Sequence, residues 1–238
     1  MKNFILFASA FIIFNLSNAQ PVKIMLVTGG HAFDTIQFFQ LFDSIDEIEY
    51  EHFAQPEANQ ALAEEKWKAF DVLVFYDMWQ NISENERQAY LEMTNQGKPI
   101  LFLHHALVSY QKWPEFEKIL GGKYVKEGPD LPEEEQSTYK HDVWVDIDVV
   151  TPEHPVTAGF GDLKLFDEVY GNYRVLSMVQ PLLKTSHPES TEIIGWENKY
   201  RASTIIYLQP GHDHHAYESP EYRKLLSQAI NYLAQNNE

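Results

Sequence analysis

The chain has 238 residues, of which 44% are hydrophobic, with 35 acidic residues against 18 Lys and Arg, and a formal charge of −17 at neutral pH. That apolar content excludes wholesale disorder, and that charge sets the surface against phosphate backbones, so nucleic acid is not an expected partner while cations or neutral ligands such as sugars are. The absence of cysteine excludes disulfides, a thiolate nucleophile and any sulfur-ligated metal, so stability must come from packing.

Met1-Lys2-Asn3, the apolar run Phe4 to Leu16 and the small residues Ser17-Asn18-Ala19 have the layout of a secretory signal peptide over residues 1–19. Cleavage near Ala19-Gln20 is expected to leave residues 20–238 as one periplasmic or secreted domain. No membrane attachment is expected afterwards, because the run is shorter than the roughly 20 residues a spanning helix needs and no later stretch replaces it. Homo-oligomerisation is left open.

Val22 to Val27, ending at Thr28-Gly29-Gly30, reads as a buried strand running into a glycine turn. Ile48 to Phe53 reads as a second strand and Leu62 to Phe70 as a helix. Asp71 to Tyr76 and Ile100 to Leu103 are further buried strands, and Ser83-Glu84-Asn85-Glu86 between them forms a capping box opening a helix that ends before Gly97. Repeated strand-helix units imply an α/β fold: a doubly wound, mainly parallel central sheet with helices on both faces. Gly121 to Lys140, with two prolines and the run Glu133-Glu134-Glu135, reads as a long loop. Val143 to Val150, Leu182 to Thr185, Glu192 to Trp196 and Ser203 to Leu208 are later strands with an antiparallel portion. Pro220 opens a closing helix whose Tyr222, Leu225, Leu226, Ala229, Ile230 and Leu233 recur at helical spacing.

Several of the ten histidines follow strand ends: His31 after the first strand, His104 and His105 after Ile100 to Leu103, and His212 after Ser203 to Leu208. Ligands of open parallel sheets bind beyond the carboxyl ends of the strands, so these segments are expected to converge on one crevice. Imidazoles there serve either acid/base transfer or ligation of a divalent metal, with a carboxylate such as Glu168 completing the set; spacing leaves both open. His52, His154 and His187 read as structural, and His214 and His215 as exposed neighbours. Trp79, Tyr110 and Trp113 lie just after strands, where they would stack on a sugar ring or fill the core. No His-Glu-x-x-His helix, Gly-x-Ser-x-Gly elbow or complete nucleotide-binding glycine motif is present, so no nucleotide cofactor is expected.

Val27-Thr28-Gly29-Gly30-His31, Ser137 to Asp142, His154 to Phe160, Asp167-Glu168-Val169-Tyr170 and Gly211-His212-Asp213, in that order, resemble the ThuA-like (trehalose utilisation) family. The resemblance covers essentially the whole mature chain and implies a class I glutamine amidotransferase-like, flavodoxin-like fold. His104 would stand at the position of the amidotransferase nucleophile and His212 near that of its histidine, which rules out thiol-based glutaminase chemistry. The family further implies carbohydrate catabolism involving 3-keto sugars. On that reading His105 or His212 is the base, Glu168 a second acid/base or a metal ligand, and His31, His104, His141, Tyr170 and Asp213 hold substrate. A non-catalytic carbohydrate-binding protein is the alternative.

Overall fold

A computed structural model describes residues 20–126 and 131–235, so the expected signal peptide lies outside the described residues. The elements are, in order, β1 (Val22–Gly29), α1 (Thr35–Asp43), β2 (Ile48–Ala54), α2 (Glu57–Ala63), β3 (Val72–Asp77), α3 (Glu84–Asn95), β4 (Ile100–Leu103), α4 (Pro114–Leu120), β5 (Gly122–Lys123), β6 (Thr138–Val149), β7 (Leu163–Gly171), β8 (Arg174–Val175), β9 (Gln180–Thr185), β10 (Ile193–Tyr200), β11 (Ser203–Leu208), α5 (His214–Tyr217) and α6 (Pro220–Gln235). Among the described residues no helix is long and apolar enough to cross a membrane.

Nine strands form one mixed sheet in the order β2-β1-β3-β4-β11-β10-β9-β6-β7. The first five are mutually parallel, and their order is the flavodoxin-like one with β11 as fifth strand. The apolar runs explain this half. Along β1, Ile24 and Leu26 face one core layer while Met25 and Val27 face the other, as a strand covered on both faces requires. Helix α6 seals the first layer with all six residues the periodicity singles out, each buried. Helix α3 carries the capping box in full, with Ser83 N donating to Glu86 Oε2 at 2.6 Å and Glu86 N to Ser83 Oγ at 3.4 Å.

The departures from expectation have local causes. The segment Leu62 to Phe70 is not one helix: α2 stops at Ala63, Glu65 takes a left-handed φ of 60°, and a separate 3-10 turn spans Lys66–Ala69. The supposed loop before Lys140 contains β5 and the start of β6, and β7 was not foreseen. Strand β6 pairs with β9 only over Ile147 to Val149, whereas it pairs with β7 from Thr138↔Gly171 to Ile147↔Leu163. The outer parts of β6 and β7 therefore form a two-stranded ribbon that runs past the sheet and over the carboxyl ends of the parallel strands.

Asp77, at the end of β3, is buried with Gln55 Nε2 donating to its Oδ2 at 2.8 Å. Burial pushes its carboxyl up to about 7. Between pH 4 and 7 the native chain must hold a proton that the unfolded chain has released, so stability falls as pH rises through that window and levels off above it. Asp77→Asn is expected to abolish that slope and to stabilise the protein at pH 8 by on the order of 2–4 kcal/mol, measured by thermal unfolding across pH 4 to 8.

Candidate functional site

Two glycine turns and a strained strand end aim the histidines. Gly30, with φ 81°, precedes His31, and a Cβ there would lie 2.3 Å from the Met78 carbonyl oxygen. Gly211, with φ 118°, precedes His212, and a Cβ would lie 2.1 Å from the Tyr222 hydroxyl oxygen. Neither position accepts a side chain without displacing its neighbour. At the end of β4, His104 has a left-handed φ of 46° and opens a 3-10 helix, His104–Val108. Such strain in a non-glycine residue persists only where surroundings over-determine it. Here the Gln209 carbonyl accepts from His104 Nδ1 at 2.7 Å, and Tyr207 donates to the His104 carbonyl at 2.9 Å.

The ribbon brings Glu168 and Tyr170 from β7, and His141 from β6, onto this edge. Glu168 Oε2 lies 2.8 Å from His104 Nε2 and 3.1 Å from His212 Nδ1, while its Oε1 lies 3.3 Å from His141 Nδ1. His104 Nε2 and His212 Nδ1 are 3.2 Å apart, and the Tyr170 hydroxyl is 2.8 Å from His104 Nε2. Asp167 fastens the ribbon to the β11 side: its carboxylate accepts from Glu168 N at 2.8 Å, Gly211 N at 2.7 Å and His212 N at 2.9 Å.

Burial alone would raise the Glu168 carboxyl, but its bonds to His104 and His212 hold it well below the usual carboxylate range. Burial also works against a charged His212, yet the facing Glu168 raises this imidazole above its ordinary value. The two shifts agree, since each group favours the charged form of the other. His31 is lowered by burial, and His105 is driven well below its ordinary value by burial and the neighbouring imidazoles.

His31, His141, Glu168 and Tyr170, with Met78, Val108, Tyr124, Lys126 and Tyr139, line a pocket of about 280 Å3. It adjoins a groove of about 870 Å3 that shares Tyr124, Lys126 and Tyr139 and adds the amides Gln80, Asn81, Gln111 and Gln136.

Seven of the eight residues singled out from sequence thus gather: His31, His104, His105, His141, Glu168, Tyr170 and His212. Asp213 does not take part as expected; its Oδ1 accepts from His215 N at 2.9 Å and caps α5. His105 sits beneath the others rather than among the pocket residues, 2% exposed, its ring 4.9 Å from His31 and 4.2 Å from Tyr76, with neither nitrogen hydrogen-bonded among the described residues. Tyr110 and Trp113 are core residues, and Trp79 packs against the same layer. His52 bonds Thr28 at 2.8 Å and His154 bonds Glu197 at 3.1 Å, both structural pairings. Sequence reasoning missed Gln209, whose carbonyl orients His104 and whose amide donates to the Glu168 carbonyl at 2.7 Å; its place just before Pro210-Gly211-His212 was the available signal.

A ThuA-like protein from Parabacteroides merdae superposes with a TM-score of 0.73 at 17% identity over 90% of each chain. One from Bacteroides uniformis gives 0.68 at 22% identity over 94% of this chain and 95% of that one. A glutamine amidotransferase from Thermotoga maritima gives 0.54 at 10% identity, covering 91% and 100%, so the two folds share their central layer. No curated protein sequence matches the chain. The family described as ThuA, trehalose utilisation, matches residues 23–233, and the chain belongs to it.

Proposed function

We propose that the protein eliminates the C1 substituent from a 3-keto disaccharide or glycoside. A ketone at C3 acidifies the C2 hydrogen. When a base removes that proton, the C2–H electron pair becomes the C1–C2 double bond, and the C1–oxygen pair leaves with the departing oxygen, which takes up a proton. The reaction needs a base, a positive field for the enolate oxygen and an acid.

The meeting of Glu168 with His104, His141 and His212 beside a pocket at the small end of the ligand-binding range supports this reading. His31 and His141 line the pocket and are the bases within reach of a bound sugar. His105, sealed beneath His31, is not. The amide-lined groove next to the pocket has room for the departing sugar.

His212→Ala tests it. With a 3-keto disaccharide as substrate, turnover is expected to fall about 10²- to 10⁴-fold, while the thermal midpoint shifts by no more than a few degrees, because this half-buried ring packs mainly against other site residues. A purified chain that binds the keto sugar and leaves it intact is a binding protein, and overturns the reading.

A further inference from the structure

We propose that His104, Glu168 and His212 form a divalent transition-metal site, deepening the functional reading, on which only the ion's use and not its binding depends. The three facing atoms form a triangle with sides of 2.8, 3.1 and 3.2 Å. Donors about 2.1 Å from one ion stand about 3.0 Å apart when adjacent in an octahedron and about 3.4 Å apart in a tetrahedron. The triangle matches one octahedral face, the arrangement of two histidines and one carboxylate that leaves the opposite face for substrate oxygens or water.

The donors are also oriented as ligands. With Nδ1–H committed to the Gln209 carbonyl at 2.7 Å, the His104 ring turns Nε2 toward the Glu168 carboxylate at 2.8 Å and His212 Nδ1 at 3.2 Å. Gln209 supplies the outer support expected of such a centre, fixing the His104 tautomer through its carbonyl and the β7 backbone at Glu168 through its amide. Two imidazoles, which yield any proton on the ligating nitrogen to the incoming ion, and one carboxylate suit Mn²⁺, Fe²⁺, Co²⁺ or Zn²⁺, and the adjacent oxygens of a keto sugar are bidentate ligands for the open face. Proton transfer then falls to His31 and His141.

The second histidine-carboxylate group, Asp213, His214 and His215, provides the control, since His214 is already paired with Asp34 at 2.7 Å and Asp213 caps a helix. The mature protein, stripped with chelator and desalted, is titrated with Co²⁺, Mn²⁺ and Zn²⁺ by calorimetry, with the visible spectrum of Co²⁺ as a second readout. One ion per chain is expected. His104→Ala and Glu168→Gln should abolish binding, Gln209→Ala should weaken it about 10- to 100-fold, and His215→Ala should leave it unchanged. His212→Ala provides the same test if His104→Ala fails to fold.

Absence of stoichiometric binding, or binding undiminished in folded Glu168→Gln, overturns the proposal. Stoichiometric binding by a protein that turns over fully after chelation supports the site, overturns the ion's use in the reaction and leaves the elimination reading standing. Stoichiometric binding by a protein that leaves keto sugars intact supports the metal site and overturns the elimination reading.

Discussion

Glu168→Gln is expected to lower turnover of a 3-keto disaccharide by about 10³-fold or more, with the chain still folded at a lowered thermal midpoint. The substitution keeps the shape of a side chain wedged among His104, His212 and His141, and replaces one oxygen with an NH2. The backbone of β7 is held independently, by pairing with β6 and by the Asp167 and Gln209 contacts, so loss of this charge, which its lowered carboxyl shows to favour the folded state, weakens the fold without dismantling it. The proposed elimination depends on the charge far more, because it would align and polarise the imidazoles. Steady-state kinetics alongside thermal unfolding separate the two effects. Retention of more than a tenth of wild-type turnover would remove Glu168 from the reaction.

Asp167→Ala should produce the opposite pattern, with lost stability leading lost activity. Its carboxylate accepts from three backbone N–H groups, those of Glu168, Gly211 and His212, and truncation strands all three in a buried place. At about 1 kcal/mol for each abandoned donor, the expected loss is about 3 kcal/mol, seen as a lower denaturant midpoint at unchanged m value. Asp167→Asn should fall between, because its oxygen still serves Glu168 and His212 while its NH2 meets the Gly211 N–H. Asp213→Ala, which removes only a cap from the four-residue α5, is expected to cost about 1 kcal/mol. Equal losses for Asp167→Ala and Asp213→Ala would refute the fastening role.

The parallel half of the sheet was legible because β1, β3, β4 and β11 are short apolar runs buried on both faces and closed by turn residues. Strand β7 was hidden by the residues that it brings to the histidine cluster. Asp167 and Glu168 are buried acids that break the apolar pattern, and the partners His104 and Gly211 lie 64 and 44 positions away in sequence. Proximity of site residues was readable from strand ends, but direction was not. His104 and His105 are neighbours in sequence, yet the left-handed turn at His104 sends one ring to Glu168 and leaves the other beneath His31. Asp213 follows His212, yet the start of α5 claims its carboxylate. Such outcomes depend on single backbone angles, which composition and periodicity do not encode.

The ribbon of β6 and β7 delivers Glu168, Tyr170 and His141 as one continuous piece of chain, while His31, His104 and His212 arrive on three separate strand ends. Half of the constellation is therefore a portable cassette. Exchanging the span from 138 to 171 between relatives would swap one wall of the pocket in a single graft and leave the five parallel strands and their ladders untouched, so the pocket's lining can change without the scaffold being rebuilt.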